Sequence, residues 1–126
     1  MKGYKKRIGS WGEELAEKYL VERGYTLVAK NWRARDMKIL GEIDLIMTKD
    51  QEVVFVEVKT RATPAFGYGE QAVTYSKKQK LTKAINQYLT VHPEYDDCFP
   101  RFDILVVEIF QLTPNFIHFE NVALNC

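Results

Sequence analysis

Residues 53–58 constrain the fold of this chain more than any other segment. They read Val-Val-Phe-Val-Glu-Val, so both alternating faces of an extended chain are apolar until Glu57 interrupts them. A strand that is apolar on both faces is typical of a central strand covered by helices on either side. The segment therefore predicts an α/β fold in which a sheet lies between helices.

The rest of the chain divides into segments with helical or strand periodicity. Apolar residues recur at helical spacing in residues 8–23, with Gly24 as a stop, and again in a second helix that runs to about Val91. β-Branched and aromatic runs predict strands at residues 25–32, 40–47, 53–60, 102–110 and 116–124. The predicted order is one helix, three strands, one helix and two strands, in a single domain spanning residues 1–126.

The polar residues 49–52 separate the second and third predicted strands and are few enough for an antiparallel hairpin. If these residues form the loop, Thr48 pairs with Val53. Counting back along both strands from that pair places Asp44 opposite Glu57 on one face, within roughly 5 Å at the Cβ atoms. The predicted hairpin thus brings two carboxylates together where its strands separate.

Glu57 needs a compensating charge if it lies in a central strand. Burying an unpaired carboxylate costs several kcal/mol or shifts its pKa, and Lys59, two residues further on, shares its face. An ion pair between Glu57 and Lys59 where the strand emerges into solvent is one explanation. Asp44 suggests another, because two carboxylates within a few ångströms repel unless a divalent cation lies between them.

Any metal at this site would have oxygen ligands. The sequence has few thiols and imidazoles, and they are scattered: Cys98, Cys126, His92 and His118. They are too isolated for a disulfide framework or for a site built on sulfur and nitrogen ligands. The carboxylates therefore indicate magnesium or manganese rather than zinc.

Composition and charge narrow the class of protein. The net charge of +1 gives no global electrostatic argument for a nucleic-acid partner, so local clusters must supply one. No apolar signal segment follows the basic N-terminus, and no apolar run reaches the roughly 18 residues of a membrane span. We expect a cytoplasmic protein without a membrane partner.

Basic residues near the predicted carboxylates could contact phosphates. Lys77 and Lys78 flank the apolar stripe near the start of the second predicted helix, whereas Lys80 and Lys83 lie on its opposite side. The first pair could therefore reach phosphates near the site, and Arg61 could widen this basic rim. Ordinary solvated surface is the alternative for each of them.

Three further acidic residues have alternative explanations. Glu13 borders the apolar stripe of the first helix and could reach a site at the sheet edge, or it could close a capping box by bonding the Ser10 amide. Glu42 lies two residues before Asp44, and it could either support the site or face solvent. Asp103 is expected to serve structure by pairing with Arg101 where the fourth strand begins.

Several of these segments together resemble one family of proteins. Asp44, twelve residues and then Glu57-Val58-Lys59 resemble the split PD-(D/E)xK signature of restriction-endonuclease-like nucleases, without the usual proline before the aspartate. More narrowly, the chain from about Ile8 to Val107 is similar to the YraN family, which resembles archaeal Holliday-junction resolvases in fold. Four motifs carry this likeness: Gly9-Ser10-Trp11-Gly12-Glu13, Gly41-Glu42-Ile43-Asp44, Phe55-Val56-Glu57-Val58-Lys59-Thr60-Arg61 and Arg101-Phe102-Asp103.

The resemblance implies a restriction-endonuclease-like core of order αβββαββ, with a mixed central sheet flanked by helices. It makes Asp44 and Glu57 metal ligands, with the backbone carbonyl of Val58 as a third. Lys59 would orient or activate the attacking water and neutralise charge developing at the phosphate. Glu13 corresponds to a glutamate in the first helix of the resolvases, which completes the acidic cluster. The resemblance also leaves a supporting role at the site open for Asp103.

The expected function is hydrolysis of phosphodiesters with magnesium or manganese as cofactor, and by analogy the substrate is DNA, including branched or flapped DNA. Because resolvase-like relatives act as dimers on two-fold junctions, the resemblance is also compatible with a homodimer. The alternative is a nuclease-fold module that binds DNA or a repair partner without cutting. Lys59 favours catalysis, since phosphate chemistry gains from a lysine that a pure binder does not need. The residues alone leave RNA or a nucleotide open as substrate.

Overall fold

The helices and strands follow the predicted order. The computed structural model describes residues 2–33, 41–63 and 74–124. The elements within them are α1 (Lys2–Glu22), β1 (Thr26–Trp32), β2 (Ile43–Lys49), β3 (Glu52–Arg61), α2 (Tyr75–Val91), a 3₁₀ turn (Pro93–Tyr95), β4 (Phe99–Glu108) and β5 (Asn115–Phe119). No helix in this described part of the chain has the length and apolar character needed to cross a membrane.

The sheet of the described residues has five strands in the order β1-β2-β3-β4-β5. Strand β3 lies at its centre, antiparallel to β2 and parallel to β4, and the outer pairs are antiparallel. The parallel pair is joined through α2, the kind of crossover that parallel strands require. The predicted mixed sheet flanked by helices is confirmed.

Alternate residues of β3 enter two hydrophobic cores. Val54 and Val56 pack with Leu20 of α1 on one side of the sheet. Phe55 packs on the other side against Tyr88 of α2, with the two rings 5.7 Å apart at an interplanar angle of 78°. Helices therefore cover both faces of this strand, which explains why its sequence is apolar on both faces.

The turn between β2 and β3 is shorter than the predicted loop. Lys49 still pairs with Glu52, so only Asp50 and Gln51 connect the strands. Asp50 has a φ of 54°, in the left-handed region that aspartate tolerates better than most residues. Lys49 and Glu52 thus add one pair to the ladder instead of belonging to the loop.

The register between β2 and β3 agrees with the prediction. Thr48 pairs with Val53, and the ladder continues as far as Leu45, which pairs with Val56. The next opposed position holds Asp44 and Glu57. The tighter turn therefore left the predicted register unchanged.

Helix α1 starts earlier than predicted and packs very closely on β3. It begins at Lys2 rather than near residue 8, so Ser10 lies inside the helix and the capping box with Glu13 is wrong. A Cβ atom at Gly12 would lie only 1.9 Å from Oγ1 of Thr60, so glycine is what allows this approach. The contact places Glu13, the next residue, beside the end of β3.

The last strand ends sooner than predicted, at Phe119 rather than residue 124. The chain turns at Asn121, which has a φ of 53°, and the Val122 N–H then donates to the Phe102 carbonyl. The residues after Phe119 thus pack beside β4 without continuing the β5 ladder. At the other end of the sheet β2 begins at Ile43, and the predicted start at residue 40 lies outside the described residues.

Candidate active site

Two carboxylates lie together where β2 and β3 separate. The side chain of Glu57 is only 5% exposed, and that of Asp44 is partly buried. The Val58 N–H donates a 2.8 Å hydrogen bond to Oδ2 of Asp44, which ties that carboxylate to β3. The hairpin register therefore produces the carboxylate pair that the sequence predicts.

Two lysines converge on Glu57. Lys59 lies two residues further along β3 on the same face, and its Nζ is 3.3 Å from Oε2 of Glu57. Lys77, from the first turn of α2, forms an ion pair with the same oxygen. The predicted pairing of Glu57 with Lys59 is present, and Lys77 joins it from a distant part of the chain.

Thr74 positions Lys77. It caps the N-terminus of α2, and its side-chain oxygen accepts a 3.2 Å hydrogen bond from the Lys77 N–H. The first turn of α2 contains no acidic residue, so the carboxylate of Glu57 supplies negative charge near the positive end of the helix. The cap and this charge together direct Lys77 into the site.

Burial and, to a smaller extent, the charge of Glu57 raise the pKa of Asp44 to about 8, against the effect of the Val58 hydrogen bond. The more distant charges of Glu13 and Glu42 act in the same direction. Near neutral pH and without a cation, this carboxyl group therefore tends to hold a proton. A carboxylate in such an environment is stabilised by a nearby divalent cation, as is common at functional sites.

The two lysines respond differently to the same surroundings. Burial lowers the pKa of Lys59, and its hydrogen bond with Lys77 lowers it further, although Glu57 opposes both effects. Burial alone would lower the pKa of Lys77 as well, but its hydrogen bond to Glu57 raises it above the ordinary value. Lys59 is thus the better suited of the two to exchange a proton during a reaction.

Glu13 lies at the edge of the carboxylate site. It shares with Val58 and Lys59 a pocket of about 400 Å³, whose other lining residues are Ile8, Gly9, Thr60 and Ala62. Its Oε1 accepts a 3.0 Å hydrogen bond from Nδ2 of Asn31, a partner that the sequence did not reveal. The structure therefore brings Glu13 near the other predicted residues and holds it there from β1.

Glu42 has a partner of its own. It forms a 2.9 Å ion pair with Arg33, whose side chain is largely in solvent. Glu42 also lines a pocket of about 310 Å³ together with Thr74 and Lys77. It therefore lies next to the site rather than at its centre, where it could support the site.

The three residues predicted to contact phosphates occupy different positions. Lys77 lies in the site itself, on Glu57. Lys78 is half-buried in the first turn of α2, and Arg61 is half-buried as the last residue of β3. The structure thus brings Lys77 closer to the carboxylates than the sequence indicated.

Comparison with known proteins gives the family of the chain. The model of the family described as "Uncharacterised protein family UPF0102" matches residues 12–107. This chain is 40% identical to a UPF0102 protein of Alkaliphilus oremlandii, over 92% of this chain and 97% of that protein. It is 43% identical to one of Syntrophomonas wolfei, over 82% of this chain and 84% of that protein. The chain belongs to the UPF0102 family.

The match confirms the predicted YraN resemblance, since YraN proteins form the UPF0102 family. The matched range of this UPF0102 protein runs from the helix that carries Glu13 to the end of β4. It therefore contains both carboxylates and both lysines of the site. The names of these relatives state no activity, so the chemistry must be argued from the geometry.

The donor set of this UPF0102 protein fits a hard cation with few protein ligands. The described residues contain no group of three or more histidine, cysteine, aspartate or glutamate side chains that could hold a metal. Asp44 and Glu57 would be the side-chain ligands, and magnesium is commonly bound by one or two carboxylates plus water and substrate phosphate. The set suits magnesium or manganese better than zinc, which prefers four tightly arranged ligands.

Another buried carboxylate, Asp103, has a structural role. Nε and a terminal nitrogen of Arg101 donate to its two oxygens at 2.9 and 2.8 Å, and the Asn121 N–H donates at 3.0 Å. His118 Nε2 lies 2.7 Å from Oδ2 of the same carboxylate. Burial would raise the pKa of Asp103, but its hydrogen bonds to His118 and Arg101 lower it below the ordinary value. The predicted pairing of Asp103 with Arg101 is confirmed.

Proposed function

We propose that this UPF0102 protein is a nuclease that depends on a divalent cation and hydrolyses DNA phosphodiesters at Asp44, Glu57 and Lys59. The observation that carries the proposal is the pair of carboxylates at the end of a hairpin, one buried and one partly buried, beside a half-buried lysine on the same face. The raised pKa of Asp44 supports it, because that carboxylate lacks a full counter-charge within the protein. The likeness to the D…ExK signature of nucleases supports it independently.

The residues of the site divide the work between holding a cation and assisting the reaction. Asp44 and Glu57 would hold magnesium, which when bound would offset charge on the phosphate and promote ionisation of water. Lys59 is placed to orient the attacking water and to neutralise negative charge as it develops on the phosphate. The backbone carbonyl of Val58 and the carboxylate of Glu13 are the next candidates to contact the cation or its waters.

The proposed substrate is DNA, including flapped or junction DNA. Lys77, Lys78 and Arg61 would supply local positive charge for phosphates, which matters because the net charge of the chain is only +1. A homodimer would match the two-fold symmetry of a junction. The substrate and the dimer both derive from likeness to resolvases, so an assay must include several DNA shapes.

A second candidate function is a nuclease-fold module that binds DNA without cutting it. The observation in its favour is that Lys59 and Lys77 both form ion pairs with Glu57. Such an ion-pair network could persist in a protein that had no catalytic role. A binding module should keep its affinity for DNA when Lys59 is replaced by methionine.

The test is cleavage of labelled linear, flapped and four-way-junction DNA with magnesium, manganese or EDTA. Asp44→Asn and Lys59→Met should each reduce the cleavage rate by on the order of 100-fold or more, because each removes a group that stabilises the transition state. Asp50→Asn and Lys83→Met are matched controls, since both residues are exposed and away from the site. Both control variants should cut like the wild type.

The possible results separate the two functions. Cutting that requires a metal and is lost in Asp44→Asn and Lys59→Met, but kept in both controls, would establish the nuclease. Failure to cut any substrate, together with no metal binding by calorimetry at millimolar concentrations, would contradict the proposal. DNA binding that survives Lys59→Met in that case would favour the binding module.

A further inference from the structure

Lys77 neutralises the buried carboxylate of Glu57 from outside the strand that carries it. It pairs with Oε2 of Glu57, the oxygen that Lys59 also approaches. The side chain of Lys77 is 39% exposed, compared with 22% for that of Lys59. Lys77 is therefore the counter-ion that can move into solvent more easily.

The charges at the site disfavour having both lysines and a divalent cation present together. When Asp44 and Glu57 are both ionised, as they must be to bind a cation, their two negative charges balance the ammonium groups of Lys59 and Lys77. A divalent cation would leave this set with a net charge of plus two, in a place where burial weakens screening by water. Departure of one ammonium group would remove half of that excess.

The position of Lys77 in α2 favours its departure over that of Lys59. Lys77 lies in the first turn of the helix, where the positive end of the helix disfavours a cation and where no acidic residue compensates. Its pairing with Glu57 offsets this unfavourable location. A lysine also has a long flexible stem, so its ammonium group can leave while the capped helix stays in place.

We propose that Lys77 is an exchangeable counter-ion of Glu57, which neutralises the buried carboxylate until a divalent cation binds and then leaves. The inference rests on the proposed function for the presence of the cation. It adds that the cation competes for Glu57 with a lysine of the protein itself. Lys77 is then a positioning residue that pairs with the buried Glu57 when no metal is bound and lowers the affinity for the metal.

The test is calorimetric titration of manganese into the full chain without DNA. Lys77→Met should bind manganese about tenfold more tightly than the wild type, because the cation no longer displaces an ion pair. Lys77→Arg retains a positive charge and should bind no more tightly than the wild type. Lys83→Met is the matched control, since it removes one exposed lysine of the same helix and should leave the affinity unchanged.

A measurement on the wild type covers the case in which Lys77→Met does not fold. In an NMR titration of ¹⁵N-lysine-labelled protein with magnesium, the ammonium signal of Lys77 should move towards the position of a solvated lysine. The signal of Lys83 should stay where it is, because that side chain is already exposed.

Each result bears on the exchange separately from the nuclease. If the wild type binds manganese and Lys77→Met binds it with the same affinity, the exchange is overturned and the nuclease is not. A Lys77 signal that does not move at saturating magnesium overturns the exchange as well. If neither the wild type nor Lys77→Met binds a cation at millimolar concentrations, both proposals are overturned.

Discussion

Asp44 and Asp103 lie in the same sheet, yet their surroundings move their pKa in opposite directions. Asp103 bonds Arg101, His118 and the backbone of Asn121, and its pKa falls below the ordinary value despite burial. Asp44 accepts a hydrogen bond from a backbone N–H and lies near a second carboxylate, and its pKa rises to about 8. One aspartate has a full set of partners within the fold, whereas the other forms no ion pair with a cation of the described residues.

The difference separates a carboxylate that stabilises the fold from one that we propose to bind a cation. The network of Asp103 joins β4 to β5 through His118. It also reaches the start of β3 and the residue before β1, because Arg101 bonds Glu52 and Tyr25. At the other site the carboxylates of Asp44 and Glu57 lie close together, and their repulsion lowers the stability of the fold unless a cation binds between them. Burial of a charged side chain does not by itself identify a functional residue. Whether that charge is fully paired within the fold is a better indication.

The largest expected effect is on the free energy of unfolding when Asp103, the fully paired aspartate, is replaced. Asp103→Asn should lower the free energy of unfolding by about 3 kcal/mol, because it removes the carboxylate that neutralises the buried Arg101. Urea denaturation would measure the change, with Asp50→Asn as the control in an exposed turn. A loss below about 1 kcal/mol would mean that Glu52 and Glu120 compensate for the missing charge, and would weaken the comparison.

The next effect is the dependence of stability on pH that results from Asp44, the aspartate without an ion pair among the described residues. The folded-state pKa of Asp44 lies above the ordinary value of 3.8, so the folded chain binds more protons than the unfolded chain between about pH 4 and pH 8. The contribution of Asp44 to stability is therefore largest at low pH and is lost as the pH rises through about 8. Urea denaturation in EDTA should show the wild type losing on the order of 2 kcal/mol between about pH 6 and pH 8 relative to Asp44→Asn. Parallel curves for the two proteins would contradict the raised pKa.

The smallest effect concerns addition of metal. Magnesium at about ten times its dissociation constant should stabilise the wild type at pH 8 by about 1.4 kcal/mol, because it binds the folded state. Asp44→Asn should gain much less, since it lacks one of the two carboxylate ligands. Thermal unfolding with magnesium and with EDTA would measure both gains. Equal gains in the two proteins would place the cation elsewhere.

The sequence predicted the parts of the fold and site that depend on neighbours along the chain. The apolar faces of β3 indicated a central strand, and the short polar turn indicated the register that opposes Asp44 to Glu57. Lys59 shares the face of Glu57 because side chains two residues apart in a strand point the same way. Arg101 and Asp103 pair for the same reason.

Tertiary structure alone decided which distant groups join these neighbours. Lys77 meets Glu57 because α2 docks on the Phe55 side of the sheet, and Glu13 reaches the site because Gly12 lets α1 approach Thr60. These contacts depend on how two helices pack on opposite faces of the sheet, which strand alternation and turn length do not specify. Local geometry therefore determined that Asp44, Glu57 and Lys59 lie together, and long-range packing determined that Lys77 and Glu13 join them.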